Sequence, residues 1–244
     1  GLVDITNKHF EYLMKKILKY LGIALLALML FFVGFYLIKN EKIPTGTPNA
    51  EADQMALNML ESLNKAAWDS TEIVSWTFRA DHNYIWNKNT NSVTTTWGNY
   101  EVVFNTQTLK GTVKDGDFTV IGEEAIQLIN KAKDNFNNDS FWLAAPYKVF
   151  DSGTKRSIIT TKDGRRGLLI TYTSGGTTPG DSYAWILDKN YRPISVKMWV
   201  SIIPIGGMEF TWENYQTLKS GAMIARDHKL YGRLNIAVAD ISAQ

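Results

Sequence analysis

Cysteine is absent from this chain. Its absence excludes disulfides, thiolate metal sites, a thiol nucleophile and the acylated cysteine of a lipid-anchored lipoprotein. Histidine is scarce, with three in 244 residues, and neither an H-E-x-x-H spacing nor a clustered set of zinc ligands occurs, so no metal is expected. A Gly-rich phosphate loop is missing too, as are internal repeats and long low-complexity tracts, and no cofactor is expected. Charge of one sign is also lacking. The 26 basic and 24 acidic residues leave a net charge of +2, and nucleic-acid binding needs a concentrated basic face, so no nucleic-acid partner is expected.

What is present is apolar and aromatic. Hydrophobic residues make up 45% of the chain, with 8 Trp, 11 Tyr and 11 Phe, a composition that supports one well-filled domain plus an appendage. Residues 17–38 read "ILKYLGIALLALMLFFVGFYLI", with no charge after Lys19 until Lys39. About 20 such residues cross a bilayer as a helix. The apolar core of a secretory signal is about 7–15 residues, so residues 17–38 are read as an uncleaved transmembrane signal anchor. Lys8, Lys15, Lys16 and Lys19 precede the span, so the positive-inside bias puts the N-terminus in the cytoplasm and the rest in the periplasm or its equivalent. The expected localisation is the inner (cytoplasmic) membrane, single-pass. Phe10, Leu13, Met14 and Ile17 recur at helical spacing, which makes residues 1–16 a cytoplasmic amphipathic lead-in. Residues 39–49 carry two prolines and a glycine and read as a short tether.

Residues 50–244 form the exported domain. Residues 50–67 predict a helix with Met55, Met59, Leu60 and Leu63 on its apolar side and Asn49 as N-cap. Period two then takes over. Trp76, Phe78, Tyr84 and Trp86 share the parity of one face over residues 72–86, a long strand or strand pair. Further strands are expected at 93–97, 100–106, 109–114, 118–121, 157–161, 167–173, 182–188, 193–200, 208–213 and 222–229. Asp-Gly and similar pairs supply turns, among them Asp115-Gly116, Asp163-Gly164, Gly175-Gly176 and Lys189-Asn190. Residues 122–137 predict a second helix, with Glu123 and Glu124 at its positive end. The fold class is mainly β (α+β). It is a strongly curved antiparallel sheet or incomplete β-barrel closed by two helices and preceded by a single transmembrane helix.

Catalytic residues are not expected. Ser152 sits in Asp-Ser-Gly, a turn composition without the G-x-S-x-G setting of a nucleophile elbow. His82 and His228 are the only histidines of the domain, and Asp227 next to His228 would point to the opposite face of a strand. Asp181, Glu209 and Glu213 could supply paired carboxylates, but such charges are ordinarily solvated. The stretch "NDSFWLAAPYKVFDSG" at 138–153 is the most conspicuous apolar segment. It either plugs the barrel as core or lines the mouth of an apolar cavity through Trp142 and Tyr147. Residues 199–210, "WVSIIPIGGMEF", are either a flap or hairpin tip dipping toward the membrane or a bulged core strand.

In order of elements the chain resembles the LolA/LolB-like periplasmic lipoprotein carriers. The likeness rests on the N-terminal helix before long strands carrying Trp76 and Phe78, the mid-chain helix, and the "FWLAAPYKVFDSG" segment where such proteins carry an aromatic-Pro loop. "DSYAWILDKNYRPISVKMWV" is similar to their strand, turn and strand, and "MEFTWENYQTLKSG" to their late strand. The resemblance covers about residues 50–229. It implies a membrane-anchored variant in which the sheet wraps an apolar cavity for a lipid or the acyl chain of a lipoprotein. The residues expected to bind that ligand are Trp76, Phe78, Tyr84, Trp86, Phe104, Trp142, Tyr147 and Trp199. The competing expectation is an interaction or sensor module with a filled core that contacts a membrane-protein partner.

Overall fold

The computed structural model describes residues 2–174 and 180–243. The chain divides into two units, Gly1–Glu41 and Lys42–Gln244. The first unit is one helix, α1 (Leu2–Lys39), and its Tyr12–Lys39 portion is long and apolar enough to cross a membrane. The amphipathic lead-in is continuous with it.

In the second unit the helix expected over 50–67 is two helices, α2 (Ala50–Ser62) and α3 (Lys65–Ser70). Asn49 caps α2 by accepting from the Ala52 N–H at 2.8 Å. The break falls at Asn64, which adopts a left-handed φ of 56° and presents its side chain to the Ala67 N–H. Asparagine is one of the few side chains that tolerate this conformation.

The first strands form a meander: β1 (Ile73–Phe78), β2 (His82–Asn87), β3 (Ser92–Trp97), β4 (Tyr100–Asn105), β5 (Gly111–Asp115) and β6 (Phe118–Val120). The alternating run over 72–86 is therefore a strand pair, folded at Arg79 and Ala80, both with positive φ. Its parity survives the turn, because Trp76 lies opposite Tyr84 and Val74 opposite Trp86. Then comes α4 (Gly122–Ala144), longer than expected, followed by a 3-10 turn over Ala145–Lys148 with Pro146 in its first turn. The "FWLAAPYK" segment is thus helical rather than a loop. Proline is tolerated there because a helix's first N–H groups have no intrahelical partner.

The second set is β7 (Thr154–Thr160), β8 (Arg166–Tyr172), β9 (Ser182–Leu187), β10 (Pro193–Trp199), β11 (Met208–Thr211), β12 (Glu213–Thr217), β13 (Met223–Leu230) and β14 (Leu234–Ala243). The turn expected at Gly175-Gly176 lies outside the described residues. All fourteen strands belong to one antiparallel, unclosed sheet. Its order is β6-β5-β4-β3-β2-β1-β14-β13-β11-β10-β9-β8-β7, with β12 on β13. The sequence reading did not include β14. This strand joins the halves by pairing with both β1 and β13.

The helices cover one face, α4 against β4, β5, β13 and β14, and α2 against β7 and β8. Most of the core lies beneath them. A smaller cluster of Ile159, Leu169, Ala184 and Trp199 is separate from it. The N-terminal segment is pinned to the sheet, since Pro48 bridges to Ser157 and Gly46 packs so closely on Ile158 and Ser157 that a Cβ would clash.

Candidate functional site

Helical spacing puts Asp134, Asn137, Asn138, Phe141, Trp142 and Ala145 on one stripe of α4 and its continuation. In the fold this stripe is one wall of a cavity of about 370 Å³. The facing wall is Tyr172 from β8, Tyr183 from β9 and Met198 from β10, with Val200, Ile202 and Ile203 from the β10–β11 loop and the charged side chains of Lys148 and Asp181. Register explains the facing wall, because Met198 lies directly opposite Tyr183 and both side chains share a face. Phe141 packs on Tyr183 with ring centroids 4.8 Å apart, and Tyr172 meets Tyr183 edge-on at 5.7 Å. Burial pushes the phenols of Tyr172 and Tyr183 up, so both stay neutral and serve as apolar wall with a polar tip. The volume is near the lower end of the ~300–1,000 Å³ of ligand pockets.

Buried Asp181 accepts from the Ser201 N–H at 2.9 Å and so ties down the start of the β10–β11 loop. Lys133 donates to Asn137 at 2.8 Å. A second depression of about 390 Å³ is lined by Pro48, Asn49, Asp53, Thr154, Lys155 and Arg156, without an aromatic or branched aliphatic side chain. The Asp53–Arg156 ion pair at 2.5 Å crosses it.

Of the residues expected to bind ligand, Trp142 lines the cavity. The concave side of the first six strands is instead filled by Phe136 of α4. Its ring lies 5.4 to 6.3 Å from those of Trp76, Tyr84, Trp86 and Phe104. Trp76 stacks on Tyr84 at 4.7 Å and Phe78 is buried beside them. Tyr147 stacks on Trp68 at 4.7 Å, and its hydroxyl donates to the carbonyls of Leu63 or Met223, both within 2.8 Å. Trp199 belongs to the smaller cluster with Ile159.

The groups weighed for chemistry are dispersed. Glu209 receives both Arg165 guanidinium nitrogens at 2.7 Å and the Ser195 hydroxyl. Burial would raise its carboxyl, but Arg165 and Ser195 outweigh burial and hold it below the usual range. Glu213 pairs with Lys229 at 2.5 Å. Ser152 lies in the turn that ends at Gly153. Gly153 has a φ of 82°, and a Cβ there would collide with Ser174. Its carbonyl accepts from the Thr173 N–H at 2.7 Å.

Sequence reasoning weighed His82 and His228 only as catalytic candidates and missed two features of the packing. Asp139, buried near the C-terminal end of α4, accepts from the Tyr84 hydroxyl and the His82 Nδ1, both at 2.6 Å, and from Asn138 at 2.8 Å. This latch holds α4 on β2, next to cavity-lining Asn138. The second is His228, fully buried, 3.8 Å from the Trp212 ring and 5.4 Å from Trp142. Among the described residues neither ring nitrogen meets full hydrogen-bond geometry, although the Thr211 and Trp142 backbone lies close enough to act on the ring. Burial drives its pKa down to about 3 against weaker pulls from the Thr211 and Trp142 backbone. The neutral ring therefore backs the cavity wall.

No family model matches the chain. No curated protein matches it either. Among solved structures, a DUF1329 family protein from Desulfovibrio piger is similar at 8% identity over 81% of this chain and 93% of that chain, with a TM-score of 0.37.

Proposed function

We propose that the protein is a membrane-tethered, non-catalytic domain that holds a lipid or the acyl chain of a lipoprotein between α4 and strands β8 to β10. The observation that carries this reading is the cavity itself, with Phe141, Trp142, Met198, Val200 and Ile203 as its apolar lining. Burial contributes about 0.8 kcal/mol per methylene, so part of one chain gives useful affinity without a charged contact. The tether is α1, and the lysines that precede the span support an inner-membrane position with its N-terminus in the cytoplasm. The fold class agrees with a LolA/LolB-like carrier, and a tethered acceptor or donor suits an anchored chain better than a soluble shuttle.

Brominated stearate tests the reading through tryptophan emission. Quenching that shrinks in Trp142→Phe supports it; absent quenching, or quenching unaltered by the substitution, refutes it.

A second reading, docking to a membrane-protein partner, is favoured by Phe118 and Ile121, 80% and 79% exposed beside edge strand β6. Phe118→Ser with Ile121→Ser would abolish such docking and leave stearate quenching intact.

A further inference from the structure

The β10–β11 loop, residues 200–207, presents an uncharged, mostly apolar surface. From Trp199 to Met208 the chain has no charged side chain and reads Val-Ser-Ile-Ile-Pro-Ile-Gly-Gly between them. Ile202 is 73% exposed, Pro204 is exposed, and Ile203 and Ile205 are half-buried. A single exposed isoleucine is ordinary, but four consecutive apolar residues reaching solvent on an uncharged loop call for a partner. The loop is preformed. Ser201 N–H is held by Asp181, Ile203 N–H donates to the Val200 carbonyl at 3.1 Å, and Gly207 N–H donates to the Met198 carbonyl at 2.8 Å.

Two further observations say what the partner is. Val200, Ile202 and Ile203 of this loop also line the cavity, so whatever covers the loop touches the route into it. In addition, the segment between the end of α1 at Lys39 and Gly46, which packs on Ser157, is six residues, 40–45. Six extended residues span about 20 Å, which keeps the domain at the surface of any bilayer that holds α1. An uncharged aliphatic surface on a domain held in that zone is within reach of lipid.

We propose that the 200–207 loop inserts into the lipid surface and opens the cavity directly to the acyl-chain layer. This rests on the membrane tether and the cavity occupant proposed above. Amphipathic elements of this kind bury about 5–10 Å into the headgroup and acyl boundary. Ile202 and Pro204 enter first, and the ligand passes between bilayer and cavity along Ile203 and Val200 without crossing water.

The absence of cysteine makes the test clean. The full chain carrying Ile202→Cys, labelled with an environment-sensitive nitrobenzoxadiazole dye, is reconstituted into phosphatidylethanolamine and phosphatidylglycerol vesicles containing doxyl-labelled phosphatidylcholine. Lys189→Cys, in the β9–β10 turn, is the control. Insertion predicts blue-shifted emission and several-fold stronger quenching at position 202 than at 189. Equal quenching overturns it, as does failure of the chain to float with the vesicles, which removes the tether as well. The same vesicles with brominated stearate separate the two proposals. Loop quenching without stearate quenching of Trp142 keeps the insertion and removes the acyl occupant, and the converse keeps the occupant and removes the insertion.

Discussion

His228 makes the stability of the second unit depend on pH in a direction set by its burial. The ring is fully buried, its nitrogens lack a hydrogen bond of good geometry among the described residues, and its pKa is down at about 3, whereas a histidine in an unfolded chain titrates near 6.5. Between those values the unfolded chain holds a proton that the folded chain refuses. Stability from this residue is fully present above about pH 6.5 and is lost as the pH falls toward 3. Two pH units at about 1.36 kcal/mol each bring the loss by pH 4.5 to about 2–3 kcal/mol. That is a large fraction of a domain's ~5–15 kcal/mol. His228→Phe keeps a planar ring against Trp212 and removes both the proton site and the buried ring nitrogens. Urea unfolding of both proteins at pH 8, 6.5, 5.5 and 4.5 checks the reasoning. The expected result is a shallower decline for the variant and equal or greater stability at pH 8, since satisfying or removing a buried polar group gains about 1–3 kcal/mol. Parallel declines would refute it.

Three more outcomes follow from the packing. Phe136→Ala empties the space between Trp76, Tyr84, Trp86 and Phe104 and should cost about 3–5 kcal/mol, roughly 6–20 °C in Tm for a unit of this size. Stearate quenching of Trp142 should survive, because Phe136 does not line the cavity; thermal unfolding with Ile126→Ala as the exposed control decides it. Asp139→Ala orphans the buried Tyr84 hydroxyl at about 1–3 kcal/mol, and hydrogen exchange should rise in the latter half of α4 above that in β8 and β9. Asn49→Ala removes the α2 cap, and calorimetry should record a loss of about 0.5–2 kcal/mol.

The parts of the fold legible in the sequence are those that obey one period. Alternation placed Trp76, Phe78 and Tyr84 on a single buried face, and the strands β3 and β4 fell close to their expected positions. β14 was hidden because its alternation is interrupted. Asp240 takes a positive φ and the register slips between Ser75 and Thr77, so Val238, Ile241 and Ala243 are buried at uneven spacing. The β11–β12 strand is likewise split at Trp212, although its N–H still donates to the Ile194 carbonyl of β10. α4 outran its predicted end because Asn137, Asn138, Asp139 and Ser140 look like a helix stop in sequence. Asp139 is stabilised there by Tyr84 and His82, partners 55 and 57 residues away. The site was half legible for a related reason. Composition marks Trp142 as large and apolar, but which aromatics fill a core and which border a space depends on where Phe136 inserts.

The most direct test of the account is native mass spectrometry of residues 42–244 purified from a lipid-containing host, beside the Ile203→Trp variant that fills the cavity from its loop side. The account predicts a bound lipid or acyl species on the parent protein, sharply reduced in the variant while the fold, judged by circular dichroism, is kept. An apo mass for the parent even after incubation with phospholipid and acylated peptide, or a bound species that Ile203→Trp leaves untouched, would contradict it.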